Sequence, residues 1–291
     1  MPISVDLIGQ TTNTISHVVD ARWLMAYAAG LGCTTPVYMD TAAGSPIAHP
    51  VFPVCLEWPA NLAIARLPGY ASATLEERAR GVHYGHDLHL ARPIRAGETL
   101  TTQARVIGIE QRPSGAAQTM RFDTRDKQGA LVARTFQISI YRGVPVAGES
   151  RLEPGLAELP PALSATEKGA QPADVRVEIP VAAGAAHIYT ECARIFNPIH
   201  TDRAVALAAG LPDIILHGTA TLALAVTELV AEFGGGDPAR VRRLGGRFSA
   251  MVLMPGTLAL RAQRVSADTV AFEVDNDQGQ VAIKGGFMVI D

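Results

Sequence analysis

Two stretches of the chain repeat each other and decide the fold: "MRFDTRDKQGALVARTFQISI" at 120–140 and "VAFEVDNDQGQVAIKGGFMVI" at 270–290. Each predicts a strand, an Asp-rich turn closing on Gln-Gly, and a second strand, because apolar runs bounded by turn residues are typical of β-hairpins. Phe122 and Phe272 stand at the same distance from the glycines of their turns. The sequence therefore predicts the same antiparallel hairpin near the end of each half.

The repeat extends upstream of the hairpins. "ARPIRAGETLTTQARV" (91–106) matches "AMVLMPGTLALRAQRV" (250–265), and each predicts a strand that is interrupted at a glycine and then resumes. Further upstream, "SPIAHPVFPVCLEWPANLAI" (45–64) matches "PDIILHGTATLALAVTELV" (212–230), in which an apolar stub leads through a histidine into a long apolar helix. Both halves therefore contain the same elements in the same order.

Each half is predicted to be a long apolar helix, at about 51–66 or 217–232, wrapped by an antiparallel sheet. This arrangement is an α+β fold with two copies packed together, at 1–144 and 178–291. Residues 145–177 are rich in Pro, Ala, Gly and Glu without clean periodicity, which is typical of a linker. Two independent domains on a flexible tether are the alternative, although edge-to-edge fusion of the copies would cover their open strand edges.

Composition narrows the class of protein. Of 291 residues, 48% are apolar and 18% are charged, which is typical of a globular chain. A net charge of -3 gives no electrostatic case for binding nucleic acid, and no cluster of Lys and Arg indicates a membrane surface. Three widely separated cysteines favour free thiols in a reducing cytosol. The N-terminus lacks the features of a signal peptide and the apolar stretch 218–230 is too short to span a bilayer, so a cytoplasmic protein is expected.

The second copy also carries a motif, "FNPIHTD" at 196–202, followed by "ILHGTATLAL" at 215–224. This pattern resembles the MaoC-like, or R-specific enoyl-CoA hydratase 2, family, whose signature reads roughly Ser-Gly-Asp-x-Asn-Pro-x-His and then His-Gly. The resemblance covers almost the whole chain. It implies a double hotdog fold in which the second half is the active half and the first half accommodates the acyl tail of the substrate.

The resemblance assigns roles to three residues. His200 falls on the catalytic histidine of the family, Asn197 on the asparagine that helps hold the loop, and Gly218 on the glycine whose backbone N–H binds the thioester oxygen. The chemistry agrees, because a histidine titrates near neutral pH and can act as a base. The first N–H groups of a helix are unpaired and carry its positive end. The alternative for His200 is a histidine that merely caps a buried loop.

One part of the signature is missing. Its Ser-Gly-Asp falls on Ala193, Arg194 and Ile195, so the catalytic aspartate of the family is absent. Glu191 lies four residues before Ile195 and would share its face if the segment were helical, so it is one candidate acid, and Tyr189 is another. A solvated surface role is the alternative for Glu191.

The first copy departs further from the signature. Its equivalent segment, "LGCTTPVY" at 31–38, has Cys33 at the aspartate position, Thr35 at the asparagine and Tyr38 at the histidine. No acid-base pair survives there. The sequence therefore predicts a single functional pocket, in the second half.

Other polar residues are weaker candidates. His217 is expected to orient or pack against the substrate rather than act as a base. Arg247, with Arg242 and Arg243, is a candidate for binding the phosphates of CoA, and an exposed solubilising cluster is the alternative. The histidines of "HYGHDLHL" (83–90) alternate on a predicted strand with nothing acidic expected between them on their face, so no metal site is predicted.

These residues predict a hydratase or dehydratase of α,β-unsaturated or 3-hydroxy acyl-CoA thioesters in fatty acid metabolism. Coenzyme A would enter only as part of the substrate, without a metal or other cofactor. The alternatives are an acyl-thioester-binding protein that has lost catalysis and a hotdog thioesterase, since one fold supports several functions. No nucleic acid or membrane partner is expected, and a homodimer is a state that the sequence leaves open.

Overall fold

The computed structural model describes residues 2–70, 74, 80–160 and 174–291. The central part of the predicted linker, residues 161–173, lies outside this description.

The chain forms two compact units whose segments alternate along the sequence. The first unit comprises Met1–Val18, Leu56–His89 and Thr99–Glu158, and the second comprises Val19–Cys55, Leu90–Glu98 and Leu159–Asp291. This division by contacts does not follow the repeat copies. Residues 19–55 belong to the first copy in sequence but to the second unit in structure.

The first unit is an antiparallel sheet around a helix. Its main strands are β2 (Ile15–Val19), β3 (Gly81–Leu90), β4 (Glu98–Arg112), β5 (Gly115–Arg125) and β6 (Leu131–Arg142), in the spatial order β2, β4, β5, β6, β3. The short strands β1 (Ile3–Ser4) and β7 (Val146–Ala147) pair with each other, and β8 (Arg151–Leu152) pairs with β4. The core joins Ala60 and Ile64 of helix α3 (Pro53–Ile64) to Phe122 of β5.

The second unit is built in the same way. Its strands are β9 (Val175–Val181), β10 (Val241–Phe248), β11 (Gly256–Arg264), β12 (Thr269–Asp275) and β13 (Val281–Ile290), in the spatial order β10, β13, β12, β11, β9. Its helices are α1 (Ala21–Gly30), α2 (Pro36–Met39), α4 (Ala185–Ala193), α5 (Arg203–Ala208) and α6 (Gly218–Phe233). The helix α6 packs against β9, β10 and β13, which makes it the central helix of this unit.

The predicted α+β class and hairpins are confirmed. The pairs β5–β6 and β12–β13 are antiparallel, and Phe122 and Phe272 are fully buried. A side chain at Gly286 would come within 2.6 Å of the Phe272 ring, so a glycine is required there. The long helices α3 and α6 fall where the apolar runs predicted them, to within one or two residues.

The prediction of interrupted strands upstream of the hairpins was wrong in one respect. The strands β4 and β11 begin at Glu98 and Gly256, after the residues that precede them have turned. A glycine in such a segment marks the start of a strand, because Gly97 takes a positive φ of 92°. Within the described residues, no helix is long and apolar enough to cross a membrane.

Four buried histidines give the fold a pH dependence. Burial lowers the pKa of His217 to about 2, of His49 and His83 to about 3, and of His86 to about 4, from an ordinary value of 6.5. Desolvation is the largest cause in each, because it penalises the charged imidazolium. The native chain therefore keeps these side chains neutral at pH values at which the unfolded chain protonates them.

Acidification is expected to destabilise the protein from pH 6.5 downward. Between pH 6.5 and the lowered values, the unfolded state binds about four more protons at these sites, so the free energy of unfolding falls as the pH falls. Urea denaturation at several pH values from 7 to 5 measures this slope. Replacing His86 by Leu should reduce the slope by about one proton.

The substitution at His86 should fold well, because both of its ring nitrogens are buried without a hydrogen-bond partner among the described residues. The exposed His187 provides the matched control, and His187→Gln should leave the slope unchanged. A slope that is the same for the wild type and His86→Leu would contradict the assignment.

Candidate functional site

The motif loop begins where α4 ends. Arg194 follows the helix with φ 58°, in the left-handed region, and its N–H bonds the carbonyl of Thr190. Its guanidinium lies 3.9 Å from the centre of the Trp23 ring, whose Nε1 donates to the Cys192 carbonyl at 3.0 Å. Asn197 then caps the short 3₁₀ turn Pro198–His200, accepting from the Ile199 N–H at 3.5 Å. Asn197 is thus the N-cap of the turn that carries His200.

His200 is held in one tautomer. Its Nδ1 lies 2.8 Å from the carbonyl oxygen of Ile215, which can only accept, so Nδ1 carries the proton of the neutral ring. The other nitrogen, Nε2, is left with its lone pair. Burial lowers the pKa of His200 below 6.5, and the bond to Ile215 partly offsets this. The neutral form therefore dominates at pH 7, which is the form that a base requires.

His217 stacks on His200. The ring centres lie 3.6 Å apart at 24°, and His217 is 3% exposed. Its Nε2 lies 3.3 Å from Oγ1 of Thr190, while Nδ1 faces the Ile195 carbonyl without a hydrogen bond of ordinary geometry. With its pKa at about 2, His217 stays neutral. His217 is thus a neutral ring in contact with His200 and Thr190.

Gly218 is the first residue of α6, directly after His217. The first intrahelical bond is donated by the Thr221 N–H to the His217 carbonyl, so the amides before it face the helix end without an intrahelical acceptor. A side chain at Gly218 would come within 3.0 Å of the Phe248 ring. The start of this helix is therefore a place where a backbone amide can meet a negatively charged oxygen.

The site has no carboxylate at the position of the missing aspartate. Ile195 is 6% exposed, and its backbone accepts from the Asn197 N–H at 3.2 Å. Burial and the Ile215 carbonyl account for the shifted pKa of His200, and no acidic side chain contributes. His200 and His217 thus form a neutral pair.

The two candidate replacements for the acid lie elsewhere. The expectation that Glu191 shares a helical face with Ile195 was wrong, because α4 ends at Ala193 and the chain turns at Arg194. The Glu191 side chain is exposed. Tyr189 is 2% exposed and its ring lies 5.0 Å from that of His217. Its hydroxyl lies 3.3 Å from that of Tyr27, and burial raises its pKa.

Among the described residues, no contact joins Arg247 to His200. It is exposed on β10 opposite Lys284, while the next residue, Phe248, approaches Gly218. Successive residues of a strand face opposite sides of the sheet, so Arg247 faces away from the start of α6. In the same cluster, Arg242 pairs with Asp291, and Arg243 lies over the Phe287 ring at 5.2 Å.

Residues of the first copy of the motif make contacts with the helix α6 of the second copy and with each other. The sulfur of Cys33 lies 3.1 Å from Oγ1 of Thr227, a residue of α6, and Nε2 of His49 lies 3.3 Å from the same oxygen. Tyr38 is buried with its ring 5.9 Å from that of His49, and burial raises its pKa. Thr35 caps α2 without a side-chain hydrogen bond.

The histidines of β3 lie on a strand as predicted, but an acidic neighbour was overlooked. Oδ1 of Asp87 lies 3.2 Å from Nε2 of His89, because residues two apart on a strand share a face. In the described part of the chain, no group of three His, Cys, Asp or Glu side chains could hold a metal ion.

One tyrosine at the site was missed from the sequence. Tyr27 was not singled out, although it stands in the first copy where Tyr189 stands in the second, with the same spacing that relates Tyr38 to His200. This register was the available signal.

Comparison with known proteins agrees with the repeat. The family model described as MaoC like domain matches residues 165–285, and that described as FAS1-like, dehydratase domain region matches residues 6–135. The chain is 29% identical over 285 residues to 3-hydroxyacyl-thioester dehydratase Y of Mycobacterium tuberculosis, covering 94% of this chain and 92% of that protein.

Solved structures share the fold. The crystal structure of a MaoC-like dehydratase from Phytophthora capsici superposes with a TM-score of 0.81 at 24% identity, covering 98% of this chain and 96% of the other. A Mycobacterium tuberculosis protein with a double hotdog fold has a TM-score of 0.62 at 15% identity, with 97% and 95% covered. These likenesses show a shared fold, and the two family models together with the M. tuberculosis relative support the MaoC-like hotdog family for this chain.

Proposed function

We propose that the chain adds water across the α,β double bond of an acyl thioester, or removes it from the 3-hydroxy form. The observation that carries this proposal is the bond from Nδ1 of His200 to the Ile215 carbonyl, which leaves Nε2 with its lone pair on a ring that stacks on His217, the residue before α6. The M. tuberculosis relative, named as a 3-hydroxyacyl-thioester dehydratase, supports the same reaction class.

Each step of hydration has a group to perform it. Nε2 of His200 takes a proton from water while the water oxygen bonds to the β-carbon. The electron pair of the double bond moves onto the thioester oxygen, where the Gly218 amide and the positive end of α6 stabilise the charge. The resulting enolate collapses as its α-carbon takes up a proton, which the imidazolium of His200 can supply. Dehydration is the reverse sequence.

The absence of the catalytic aspartate determines the expected rate of hydration. One positioned acid-base group contributes about 10²-fold to 10⁴-fold in rate. With Ile195 in its place, a single histidine must both remove and return the proton. The proposed enzyme is therefore slow compared with one that carries both groups.

The substrate is proposed to be an acyl-CoA thioester. Coenzyme A enters only as part of this substrate, and the reaction needs no redox cofactor, because water addition changes no oxidation state overall. The acyl tail would lie against residues of the first copy, as the resemblance implies.

One alternative has an observation in its favour. An acyl-thioester-binding protein without turnover is supported by the buried Ile195 and the neutral histidine pair. A thioesterase would need a carboxylate or an activated water facing the carbonyl. Glu191, the carboxylate considered for that role, is exposed.

A spectrophotometric screen of the purified protein tests the proposal. Crotonyl-CoA, longer and branched enoyl-CoA esters are followed by the absorbance of the conjugated thioester, which disappears on hydration. Slow hydration of at least one ester is the expected result. Binding without turnover would favour the binding protein, and release of free thiol, detected with a thiol reagent, would favour the thioesterase.

A further inference from the structure

We propose that Tyr189 and Tyr27 are positioning residues that hold Gly218 in place through side-chain contacts on both sides of it. This inference rests on the proposed function, in which the Gly218 amide receives the thioester oxygen. Neither tyrosine touches the reacting atoms in this proposal, so both act through the start of α6.

Two consecutive residues of α4 reach the two neighbours of Gly218. Oγ1 of Thr190 lies 3.3 Å from Nε2 of His217, on one side of the glycine. On the other side, the hydroxyl of Thr219 interacts with that of Tyr189 and favours its ionised form. The Tyr189 ring also lies 5.0 Å from the His217 ring, so α4 contacts the residues on both sides of Gly218.

Tyr27 completes the arrangement from α1. Its hydroxyl lies 3.3 Å from that of Tyr189, and the two side chains are 1% and 2% exposed. The Tyr27 ring is itself fixed edge-on against Phe52, at 5.4 Å and 89°. A buried hydroxyl that loses its partner costs free energy, so this chain of hydroxyls is strongly favoured as a set.

The tyrosines are not placed to act as acids. Burial raises the pKa of both hydroxyls well above the ordinary value, so they remain protonated and neutral across the working pH range. Their hydroxyls contact each other and Thr219. The function that remains for them is geometric, and a displacement of about 1 Å in such a site can cost about 10²-fold in rate.

The test uses variants that remove only a hydroxyl: Tyr189→Phe, Tyr27→Phe and the double variant. Two quantities are measured in the full-length protein: kcat and KM for hydration of an enoyl-CoA, and the red shift in absorbance of a bound 2,4-dienoyl-CoA. The shift reports polarisation of the thioester carbonyl by the oxyanion donor, independently of turnover.

We expect kcat to fall about tenfold in Tyr189→Phe, with KM nearly unchanged and the red shift reduced, because the donor acts mainly on the transition state. The double variant should be no slower than Tyr189→Phe, since Tyr27 acts through Tyr189. Tyr38→Phe is the matched control, because it removes another buried tyrosine hydroxyl of the same unit without touching this chain, and it should behave as the wild type.

Thr219 supplies a second route if a tyrosine variant does not fold. Thr219→Val should reproduce the loss, and Thr219→Ser, which retains the hydroxyl, should restore it. Wild-type values of kcat and red shift in all hydroxyl-deleting variants would overturn the inference. So would loss of an alkaline limb from the pH profile of Tyr189→Phe, which would make Tyr189 an acid. A wild-type protein that neither hydrates nor polarises any thioester would instead overturn the proposed function and this inference with it.

Discussion

Replacing His200 by Ala is expected to lower the rate of hydration about 10²-fold to 10⁴-fold, the contribution of one acid-base group. The loss should fall at the upper end of this range, because no acidic side chain contributes to the environment of His200 and nothing described stands in for its Nε2. Initial rates with the best enoyl-CoA of the screen measure the effect. Thermal unfolding of the variant shows whether the fold is intact.

The pH profile of the wild type adds an independent check on His200. A base must be neutral, and burial lowers the pKa of this imidazole below 6.5. The rate should therefore be flat around pH 7 and decline only below 6.5.

The control for His200 is a second histidine attached to the same loop. The exposed His187 places Nε2 3.1 Å from the Thr201 carbonyl, and His187→Ala should change the rate by less than about threefold. Unchanged activity of His200→Ala on every enoyl thioester would refute the catalytic assignment. If the variant lost nothing and the wild type bound thioesters without turnover, the binding protein would be the better description.

Replacing Ile195 by Asp is expected to raise the rate, by at most about 10²-fold to 10⁴-fold. The new carboxylate would stand at the position of the family's aspartate, next to the backbone carbonyl that faces His217. Burial should raise its pKa toward neutrality, which suits a group that delivers a proton. The substitution should also lower the stability of the fold, because an ionised group in a buried position loses hydration.

Ile195→Asn is the matched control for this gain. It has the shape and polarity of the aspartate but cannot exchange a proton, so it should carry a similar cost in stability without the gain in rate. An equal rate for Asp and Asn, or a folded Ile195→Asp with no gain, would contradict the prediction. In that case another missing element, rather than the carboxylate, limits the chemistry.

The backbone of the loop is compatible with the restored aspartate. Arg194 stands where the family signature has glycine, yet it keeps φ 58°, which costs a residue with a side chain about 1 kcal/mol. Its guanidinium over Trp23 offsets part of that cost. The turn before Ile195 is therefore maintained, and the missing aspartate is a difference of side chain.

Much of the fold follows from local patterns. The hairpins β5–β6 and β12–β13 were predictable because turn residues and alternating apolar residues specify them over short distances. The helix α6 was predictable because its apolar run is long and bounded by His217 and Gly234. The assignment of residues 19–55 to the second unit was not, since it depends on packing between segments more than a hundred residues apart.

The site was predictable only in part for the same reason. The motif located His200, Asn197 and Gly218, but local sequence does not say which nitrogen of His200 is bound, since its partner is the carbonyl of Ile215. The contact between Tyr27 and Tyr189 spans 162 residues of sequence. Whether Glu191 shares a helical face with Ile195 depends on the angle φ of Arg194. This angle lies in a region that residues other than glycine seldom adopt.

The stacked histidines have a stereochemical consequence. His217 stays neutral, so the pair holds at most one extra proton, and it holds it on His200. In the proposed reaction, His200 takes a proton from water and returns it to the α-carbon. The proton therefore reaches the planar enoyl group from the side on which the water oxygen has just bonded. Hydrogen and hydroxyl would be delivered to a single face of the double bond, so hydration in D2O would place deuterium and hydroxyl in a fixed relative configuration.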